Sequence, residues 1–354
     1  MKIKGVLIEE KAENALRTCL QRIPFLTIEK IVREARDGTG ESMFDLVATI
    51  CLGQKRLRII AEVKNNGQPR VVRSAISQLK RYCENSSDVY CVFVAPYISP
   101  QAAEICINEG VGYLDLAGNC RLSFGEVYIE QRGNPNPYSE KRDLRSLYSP
   151  KAERVLRVLL NNPEKFWRFQ PLAEETEVSL GQVSNVKTLL ENREWLITSN
   201  DGFRVKDPDS LLEEWTKNYN FKRNIARNYY TLKTPAEIEN DLAEECDRIK
   251  VNYAITGFSG AARYAPMVRY QRAMVYVANE LDIITSRLSL KEVTSGANVT
   301  LLAPYDEGVF YGRRDVDGIQ VASPVQIYLD LMNMKGRGEE AASAVLNKVI
   351  KQGW

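Results

Sequence analysis

The sequence predicts a multidomain protein of the α/β (α+β) class, and three stretches of its 354 residues support this prediction. Residues 1–133 alternate strand-like apolar runs with helical patterns, which is typical of an α/β sandwich with a mixed sheet. Residues 149–206 contain three short helical patterns followed by a hairpin pattern. A second alternation of helices and strands fills the rest of the chain. We therefore expect domains at 1–133, 149–215 and 216–354, with a linker at 134–148.

The composition is that of an ordinary soluble protein, with 44% apolar and 27% charged residues. A net charge of +2 argues against a strongly basic, histone-like DNA-binding protein. The sequence shows neither a bilayer-spanning apolar run nor a signal-peptide core, so we expect a cytoplasmic protein with no membrane partner. Seven scattered cysteines without a CxxC spacing indicate a reducing compartment and no structural zinc.

The chain contains no histidine. This excludes Ser-His-Asp and Cys-His catalysis, as well as zinc sites that need imidazole ligands. Any catalysis must therefore use carboxylates, lysine, hydroxyls or thiols. Carboxylate-bound Mg²⁺ is the metal chemistry that remains.

The pattern of the first domain predicts each of its elements in turn. Helical spacing covers residues 9–23, and the glycine-containing stretch 37–42 predicts a turn. Further strands are predicted at 44–52, 57–63, 89–95, 113–116 and 125–129, and further helices at 69–83 and 99–109. The Gly-Asn-Pro-Asn-Pro stretch at 133–137 marks the end of this domain.

Charged residues interrupt the apolar strands of this domain. Asp45 lies within one strand, and Glu62-Val63-Lys64 ends the next. A carboxylate in such a run is costly unless it is paired or holds a metal. Lys64 shares a strand face with Glu62, because side chains alternate with a period of two. Gln78 follows on the next helix.

These residues resemble the motif of the PD-(D/E)XK restriction-endonuclease-like superfamily, over roughly the first 95 residues. The resemblance implies that Asp45 and Glu62 are Mg²⁺ ligands, that Lys64 is the catalytic lysine and that Gln78 completes the site. It also implies a glutamate on the first helix, for which we favour Glu13 over Glu9 and Glu10. Two alternatives remain open: an inactive relative of these nucleases, and an ordinary surface pair of Glu62 with Lys64.

Residues 149–206 have the pattern of a winged helix-turn-helix. Ser149-Pro150 begins the first helix, Gln170–Glu177 gives the second, and the third runs from Leu180 to Glu191. Asp201-Gly202 forms the turn of the hairpin, or wing. Residues 149–223 carry as many acidic as basic residues, so a DNA-binding surface requires clustering of charge.

The third helix supplies the predicted base-reading residues, because its apolar stripe leaves the polar positions on another face. On the wing, we expect the basic side chains to bind phosphate. The predicted DNA-binding residues are therefore Gln182, Ser184, Asn185, Thr188, Arg204 and Lys206. The alternative is a winged helix that binds protein or only packs.

In the last domain, helices are predicted at 211–222, 223–230, 236–246 and 338–350. Thr234-Pro235 caps the third of these, and Ser323-Pro324 begins a further helix. Strands are predicted at 251–256, 275–278, 283–285, 299–303 and 309–311. Gly257-Phe258-Ser259 is similar to the Gly-Ser corner of nucleotidyltransferases. That chemistry requires a pair of acids in a nearby strand, and Asp315-Val316-Asp317 lies instead in a turn-like stretch. We therefore expect a tight turn at this corner.

The order of motifs after residue 149 resembles AbiEi-type antitoxins of type IV toxin–antitoxin systems. The motifs are Gly-Phe-Ser-Gly-Ala-Ala-Arg (257–263), Ser-Pro-Val-Gln-Ile-Tyr-Leu-Asp-Leu (323–331) and Gly-Arg-Gly-Glu-Glu-Ala-Ala (336–342). The resemblance implies a repressor that binds double-stranded DNA and counters a nucleotidyltransferase-like toxin; a homodimer is compatible with this role. The chain departs from that pattern through the nuclease-like domain in front.

Three functions follow from these patterns. The first is a DNA-binding transcriptional regulator that acts through the winged helix. The second is a Mg²⁺-dependent DNA endonuclease that the winged helix directs to its target. The third is a protein-binding scaffold, which would show partner binding without affinity for DNA.

Overall fold

The computed structural model describes residues 5–36, 43–83, 88–138, 147–265, 270–334 and 336–354. The turn predicted at 37–42 and residues 139–146 of the predicted linker lie outside the described residues. The chain divides into two compact units, one with residues 1–143 and 191–194 and the other with residues 144–190 and 195–354. The predicted α/β class is confirmed, because both units contain mixed sheets covered by helices.

The first unit is built around a seven-stranded sheet whose strands follow one another in chain order. The three central strands, β3 to β5, are parallel, and all other neighbours are antiparallel. In chain order the elements are α1 (Gly5–Leu20), β1 (Leu26–Arg36), β2 (Met43–Leu52), β3 (Lys55–Val63), α2 (Pro69–Cys83), β4 (Val89–Ala95), α3 (Pro100–Asn108), β5 (Gly112–Asp115), β6 (Cys120–Phe124) and β7 (Val127–Gln131).

Helices cover both faces of this sheet. Ala12 and Leu16 of α1 pack on one face together with alternate residues of β2. Val72 and Ile76 of α2 pack on the other face with α3. Each face buries its own apolar core, so the first unit is a three-layer α/β/α sandwich.

The second unit begins with three helices and a hairpin: α4 (Pro150–Asn161), α5 (Phe169–Thr176), α6 (Leu180–Asn192), β8 (Leu196–Ser199) and β9 (Gly202–Val205). We call residues 149–206, where the sequence predicts a winged helix, the winged-helix region. Trp167, between α4 and α5, pairs with Phe203 of the hairpin through backbone hydrogen bonds of 2.8 and 3.0 Å. Gly202 has φ +130°, and a Cβ there would lie 2.2 Å from the Trp167 carbonyl oxygen. Only glycine fits this approach.

A second seven-stranded sheet follows, in the order β13-β10-β14-β12-β11-β16-β15. Its ends are antiparallel, and parallel pairs join β12 to β14 and β11 to β16. The remaining elements are α7 (Pro208–Asn218), β10 (Ile225–Tyr230), α8 (Pro235–Ile249), β11 (Tyr253–Ile255), α9 (Gly257–Tyr264), β12 (Ala273–Val277), α10 (Leu281–Arg287), β13 (Lys291–Glu292), β14 (Val299–Ala303), β15 (Arg314–Val316), β16 (Ile319–Val321), α11 (Pro324–Met332) and α12 (Gly338–Val345).

Three predicted elements of this sheet region are wrong. Residues 225–230 are a strand and not a helix, because they pair with both β13 and β14. Residues 281–287 form α10, which buries Ile284, although Ile-Ile-Thr favours a strand. Residues 307–310 form a 3₁₀ turn that buries Val309 and Phe310 in place of the predicted strand. In each case, tertiary packing overrides local preference.

The cysteines serve mainly as core residues. Cys19, Cys106, Cys120 and Cys246 are buried thiols, and Cys51 is half-buried. Cys83 and Cys91 form a disulfide with their Cα atoms 6.2 Å apart. In the described part of the chain, no helix has the length and apolar character that crossing a membrane requires.

Candidate nucleic-acid interface

Helix α6 separates its apolar and polar residues as the winged-helix prediction requires. Val183, Val186 and Leu190 are buried in the core of the second unit. Ser184, Asn185 and Thr188 are exposed, and the Thr188 hydroxyl donates to the Ser184 carbonyl oxygen (3.0 Å). The exposed face is therefore small and polar, which permits close approach to base edges in a major groove.

Gln182 differs from the other predicted base-reading residues. Its side chain is half-buried, and its Nε2 atom is buried with no hydrogen-bond partner among the described residues. Its backbone N–H donates to the Ser179 hydroxyl oxygen (3.2 Å), which caps the start of α6 as the sequence spacing predicted. The structure thus places Gln182 in the first turn of α6 and the other three polar residues on its exposed face.

The hairpin carries the two predicted basic residues in different settings. Lys206 is exposed. Arg204 donates to Glu164 (3.1 Å), and its guanidinium lies 5.5 Å from the centre of the Phe166 ring. Since Glu164 is itself exposed, the ion pair is weak and a phosphate could replace the carboxylate at little cost. Arg204 is thus in contact with both an exposed acidic side chain and an aromatic ring.

In the first unit, the structure brings Asp45 to the Glu62-Val63-Lys64 segment. The backbone N–H of Val63 donates to Asp45 Oδ2 (2.7 Å). The register that pairs Leu46 with Ala61 puts Asp45 level with Glu62 on the neighbouring strand. Lys64 forms an ion pair with Glu62. Three of the four predicted nuclease-site residues therefore lie together at the ends of β2 and β3.

The glutamates of α1 have different surroundings. Glu13 binds Arg17 (3.0 Å) and Arg33 (3.2 Å), so its charge is compensated. Partial burial raises the pKa of Glu9, and the negative charges of Asp45 and Glu34 raise it further. Glu9, and not the favoured Glu13, is thus the α1 glutamate for which the structure shows an electrostatic interaction with Asp45.

Gln78 lies on the exposed side of α2, whose buried face is formed by other residues. The structure shows no hydrogen bond from Gln78 to Asp45, Glu62 or Lys64, all of which it describes. Among the described residues, no group of three acidic or cysteine side chains is arranged to hold a metal ion. Asp45 and Glu62 nevertheless supply two carboxylates, and Mg²⁺ is commonly bound by one or two together with water and substrate phosphate. Asp45 and Glu62 thus fit a Mg²⁺ ion whose remaining ligands are water and substrate phosphate.

The Gly257-Phe258-Ser259 corner in the second unit is a structural turn. Gly257 has φ +59°, and a Cβ there would lie 2.9 Å from the sulfur of Met274. Ser259 Oγ accepts from the Met274 backbone N–H (3.1 Å), which ties α9 to β12. Asp315 is an exposed residue of strand β15, and it accepts from the N–H of Gly318 (3.0 Å) in the turn that follows. These contacts agree with the tight turn that the sequence predicts.

A buried polar cluster within the second unit was not predicted. Asp330 of α11 is fully buried. Its Oδ1 accepts from Tyr219 (2.8 Å), Gln326 (2.9 Å) and Tyr276 (3.0 Å), and its Oδ2 accepts from Thr256 (2.5 Å). Burial raises the pKa of Asp330 to about 6, although these hydrogen bonds act in the opposite direction.

The same cluster continues into the winged-helix region. Arg157 of α4 is fully buried and donates to Gln326 Oε1 (2.9 Å) and to the Tyr305 hydroxyl (3.3 Å). Glu153, one turn earlier and also fully buried, accepts from Tyr305 and from Arg223 (3.2 Å). Burial raises the pKa of Glu153. The sequence signal was a Gln-Asp pair four residues apart within the apolar helix α11.

Comparison with known proteins finds a family match within the second unit. Residues 204–351 match the protein family described as a transcriptional regulator, the AbiEi antitoxin of a type IV toxin–antitoxin system. The resemblance to AbiEi-type antitoxins is thereby confirmed for these residues. The match begins in the hairpin of the winged-helix region, so α4 to α6 and the whole first unit lie outside it.

Similar solved structures include a repair endonuclease from Pyrococcus abyssi, with 18% identity and a TM-score of 0.21 over 29% of this chain and 46% of that one. Another is a chain of the EndoMS-dsDNA2 complex, with 19% identity and a TM-score of 0.19 over 28% and 42% of the two chains. This chain therefore covers less than half of either structure. No curated protein matches the sequence.

Proposed function

We propose that this protein is a transcriptional regulator that binds double-stranded DNA through the winged-helix region. The exposed polar face of α6 carries the proposal, because the stripe from Val183 to Leu190 is buried in packing while Ser184, Asn185 and Thr188 face solvent. The family description of residues 204–351 supports a regulatory role.

In this proposal α6 enters the major groove. Asn185 can bind an adenine through two hydrogen bonds, and the hydroxyls of Ser184 and Thr188 can donate to or accept from base edges. Arg204 and Lys206 contact phosphates of the flanking backbone. Because these two basic residues read no sequence, they set affinity while α6 sets specificity.

The family match also supports an antitoxin role. We propose that the carboxyl-terminal α/β domain counteracts a nucleotidyltransferase-like toxin. We also propose that the protein acts in the cytoplasm. A homodimer would place two copies of α6 on two half-sites about one helical turn of DNA apart.

Duplex DNA of random sequence tests the proposal. Rounds of selection on the purified protein should enrich one sequence, which is then compared with a shuffled duplex of the same composition. We expect salt-sensitive binding of both, with tighter binding of the selected duplex. Asn185→Ala should cost about 1–3 kcal/mol on the selected duplex and little on the shuffled one. Equal binding of all duplexes by both proteins would refute sequence reading by α6.

A second candidate function is a Mg²⁺-dependent DNA endonuclease. It rests on the proximity of Asp45 to the Glu62-Val63-Lys64 segment. Asp45 and Glu62 would hold Mg²⁺, which supplies positive charge to a scissile phosphate. Lys64 would orient water or neutralise developing negative charge. For this role, its ammonium group must first break the ion pair with Glu62.

Plasmid DNA distinguishes the two functions. The protein is incubated with plasmid and Mg²⁺ or Mn²⁺, and the control contains a chelator. Cutting that requires metal and is absent from a Glu62→Ala/Lys64→Ala variant would support the nuclease. No cutting, together with unchanged DNA binding by the variant, would leave a regulator whose first unit is inactive.

A further inference from the structure

Two lysines lie against the aromatic rings that join the hairpin to the loop before α5. Trp167 of the loop pairs with Phe203 of β9 through two backbone hydrogen bonds, so their side chains lie next to each other on one face of this pairing. The Lys165 ammonium nitrogen lies 3.6 Å from the centre of the Trp167 ring, and the Lys187 ammonium nitrogen lies 5.6 Å from the centre of the Phe203 ring. Lysines from the loop and from α6 are thus brought to neighbouring rings.

Phe169, the first residue of α5, adds an exposed ring to this group. It is 40% exposed, and its ring centre lies 5.7 Å from that of Phe203 and 5.9 Å from the Lys187 ammonium nitrogen. Lys187 follows Ser184 by three residues on α6, and residues at this spacing are neighbours on a helix surface. The group therefore adjoins the exposed polar face of α6. We call Lys165, Arg168, Phe169 and Lys187 the basic–aromatic surface.

Charge is unevenly distributed along the winged-helix region. Lys165 and Arg168 are exposed just before α5. Glu164, the acidic residue of the same loop, forms an ion pair with Arg204. Helix α5 is about 12 Å long, and exposed acidic residues lie at its other end: Glu174, Glu175 and Glu177. Although acids and bases are balanced over residues 149–223, basic side chains thus gather beside α6 and the hairpin.

We propose that the basic–aromatic surface binds the phosphate backbone of duplex DNA beside the groove that α6 enters. The inference rests on the proposed function, and it adds Lys165 and Lys187 to the phosphate-binding residues. An aromatic ring carries no net charge, so contact with Trp167 orients the Lys165 ammonium group without neutralising it. Arg204, in contrast, must exchange Glu164 for a phosphate.

The burial of the rings favours a duplex over a single strand. Proteins that bind single strands stack successive bases on several exposed rings. Trp167 and Phe203 are only 3% and 2% exposed, so neither ring can receive a base. Phe169 is instead a positioning residue, because its ring limits the directions in which Lys187 can point. This lowers the conformational entropy that Lys187 loses when it binds a phosphate.

The chain offers matched variants for the test. Lys165→Met and Lys187→Met each remove one charge, and Lys217→Met is their control, because Lys217 is an exposed lysine that pairs with Glu213 on α7. Phe169→Leu removes the ring and keeps an apolar side chain. Each variant is titrated at several salt concentrations against the selected duplex, the shuffled duplex and one strand of the selected duplex. Urea midpoints confirm that each variant is folded.

We expect Lys165→Met and Lys187→Met each to lower the slope of log affinity against log salt by about one, on both duplexes, and Lys217→Met to leave it unchanged. Phe169→Leu should weaken binding of both duplexes by about threefold with the same salt slope, because it keeps every charge and loses preorganisation. In a protein that already carries Lys187→Met, Phe169→Leu should have no further effect, since the ring acts through this lysine. Asn185→Ala, in contrast, should act mainly on the selected duplex.

Four results would contradict the inference. Unchanged salt slopes in both lysine variants, with specificity still lost in Asn185→Ala, would refute the inference and leave the proposed function intact. Tighter binding of the single strand than of either duplex, lost in Phe169→Leu, would show that the ring stacks on bases. A full effect of Phe169→Leu in the presence of Lys187→Met would refute its positioning role. If the unmodified protein binds neither duplex at any salt concentration, the proposed function and the inference fail together.

Discussion

The two α/β regions hold their acidic side chains in opposite ways. In the carboxyl-terminal region, Asp330 is fully buried and accepts hydrogen bonds from four side chains. In the first unit, Asp45 and Glu62 are only partly buried at strand ends. Among the described residues, Asp45 accepts from the Val63 backbone N–H, and Glu62 forms an ion pair with Lys64.

This difference separates structural from candidate functional carboxylates. A buried carboxylate whose oxygens are occupied by internal donors has little capacity left for a ligand, and it contributes to the stability of one conformation. A strand-end carboxylate with few internal partners can still accept bonds from substrate, water or a cation. The distinction depends on the surroundings of each acid and not on its residue type.

The first unit contains its own example of the structural kind. Asp115, at the end of β5, is buried and accepts from the backbone N–H groups of Ile98 (3.2 Å), Ala117 (3.0 Å) and Asn119 (2.8 Å). The Asn119 side chain also donates to it (2.9 Å), and its amide joins the Asn134 backbone to the end of the sheet. Asp115 thus closes a loop, although it lies near strand ends as Asp45 does.

The largest predicted effect is that of Asp330→Ala. The change leaves the donors of Tyr219, Tyr276, Thr256 and Gln326 without their shared acceptor in a buried site. We expect the free energy of unfolding to fall by about 3–5 kcal/mol, as for a broken buried charge network. Urea unfolding measures this loss. Asp315→Ala, at an exposed position of the edge strand β15, is the control and should change stability by less than about 0.5 kcal/mol.

The next prediction concerns pH. Burial raises the folded-state pKa of Asp330 from 3.8 to about 6, so the native state binds this proton more tightly than the unfolded state. Its contribution is therefore complete below pH 3.8 and is lost as pH rises to about 6. Asp330→Asn cannot titrate and serves as the reference.

Other acids titrate in both proteins, so the difference between their stabilities isolates Asp330. Between about pH 4 and pH 6.5, we expect the wild-type protein to lose roughly 2 kcal/mol relative to Asp330→Asn. Urea midpoints across this range measure the difference. A constant difference would show that burial does not shift the proton equilibrium of Asp330.

Asp115→Ala should have a smaller effect, about 2 kcal/mol on the stability of the first unit, because backbone donors near a loop regain water more easily than buried side chains do. Hydrogen exchange should show loss of protection in residues 115–119 and 134. If protection is lost only in α4 or α11, the loop-closing role is wrong.

The sequence predicted local features well because local chemistry determines them. Four Ser/Thr-Pro pairs predicted helix starts, and α3, α4, α8 and α11 begin there. Thr234 even forms the reciprocal capping box with Glu237. The apolar stripe of α6 was also predictable, because Val183, Val186 and Leu190 recur with helical spacing.

Features that depend on distant residues were not predictable in this way. The sequence gives no local sign that β10 pairs with β14, about seventy residues later. The contact of Arg157 with Gln326 spans 169 positions. Glu9 and Glu13 are four residues apart and share a helix face, so spacing cannot choose between them. In the folded sheet, Arg33 forms an ion pair with Glu13, whereas the charge of Asp45 acts on Glu9.

The smallest predicted effect tests whether Glu62 and Lys64 are structural residues or candidate functional residues. Lys64→Met removes the ion pair with Glu62, in which the lysine is 36% exposed and the glutamate 13%. We expect a loss below about 1 kcal/mol in urea unfolding, because partly exposed ion pairs contribute little. Glu62→Gln should behave similarly. A loss comparable with that of Asp330→Ala would assign Glu62 and Lys64 to the structural class, and any loss of DNA cleavage in their variants would then reflect unfolding. A small loss would mean that a cleavage defect in the same variants reports on chemistry at the strand ends.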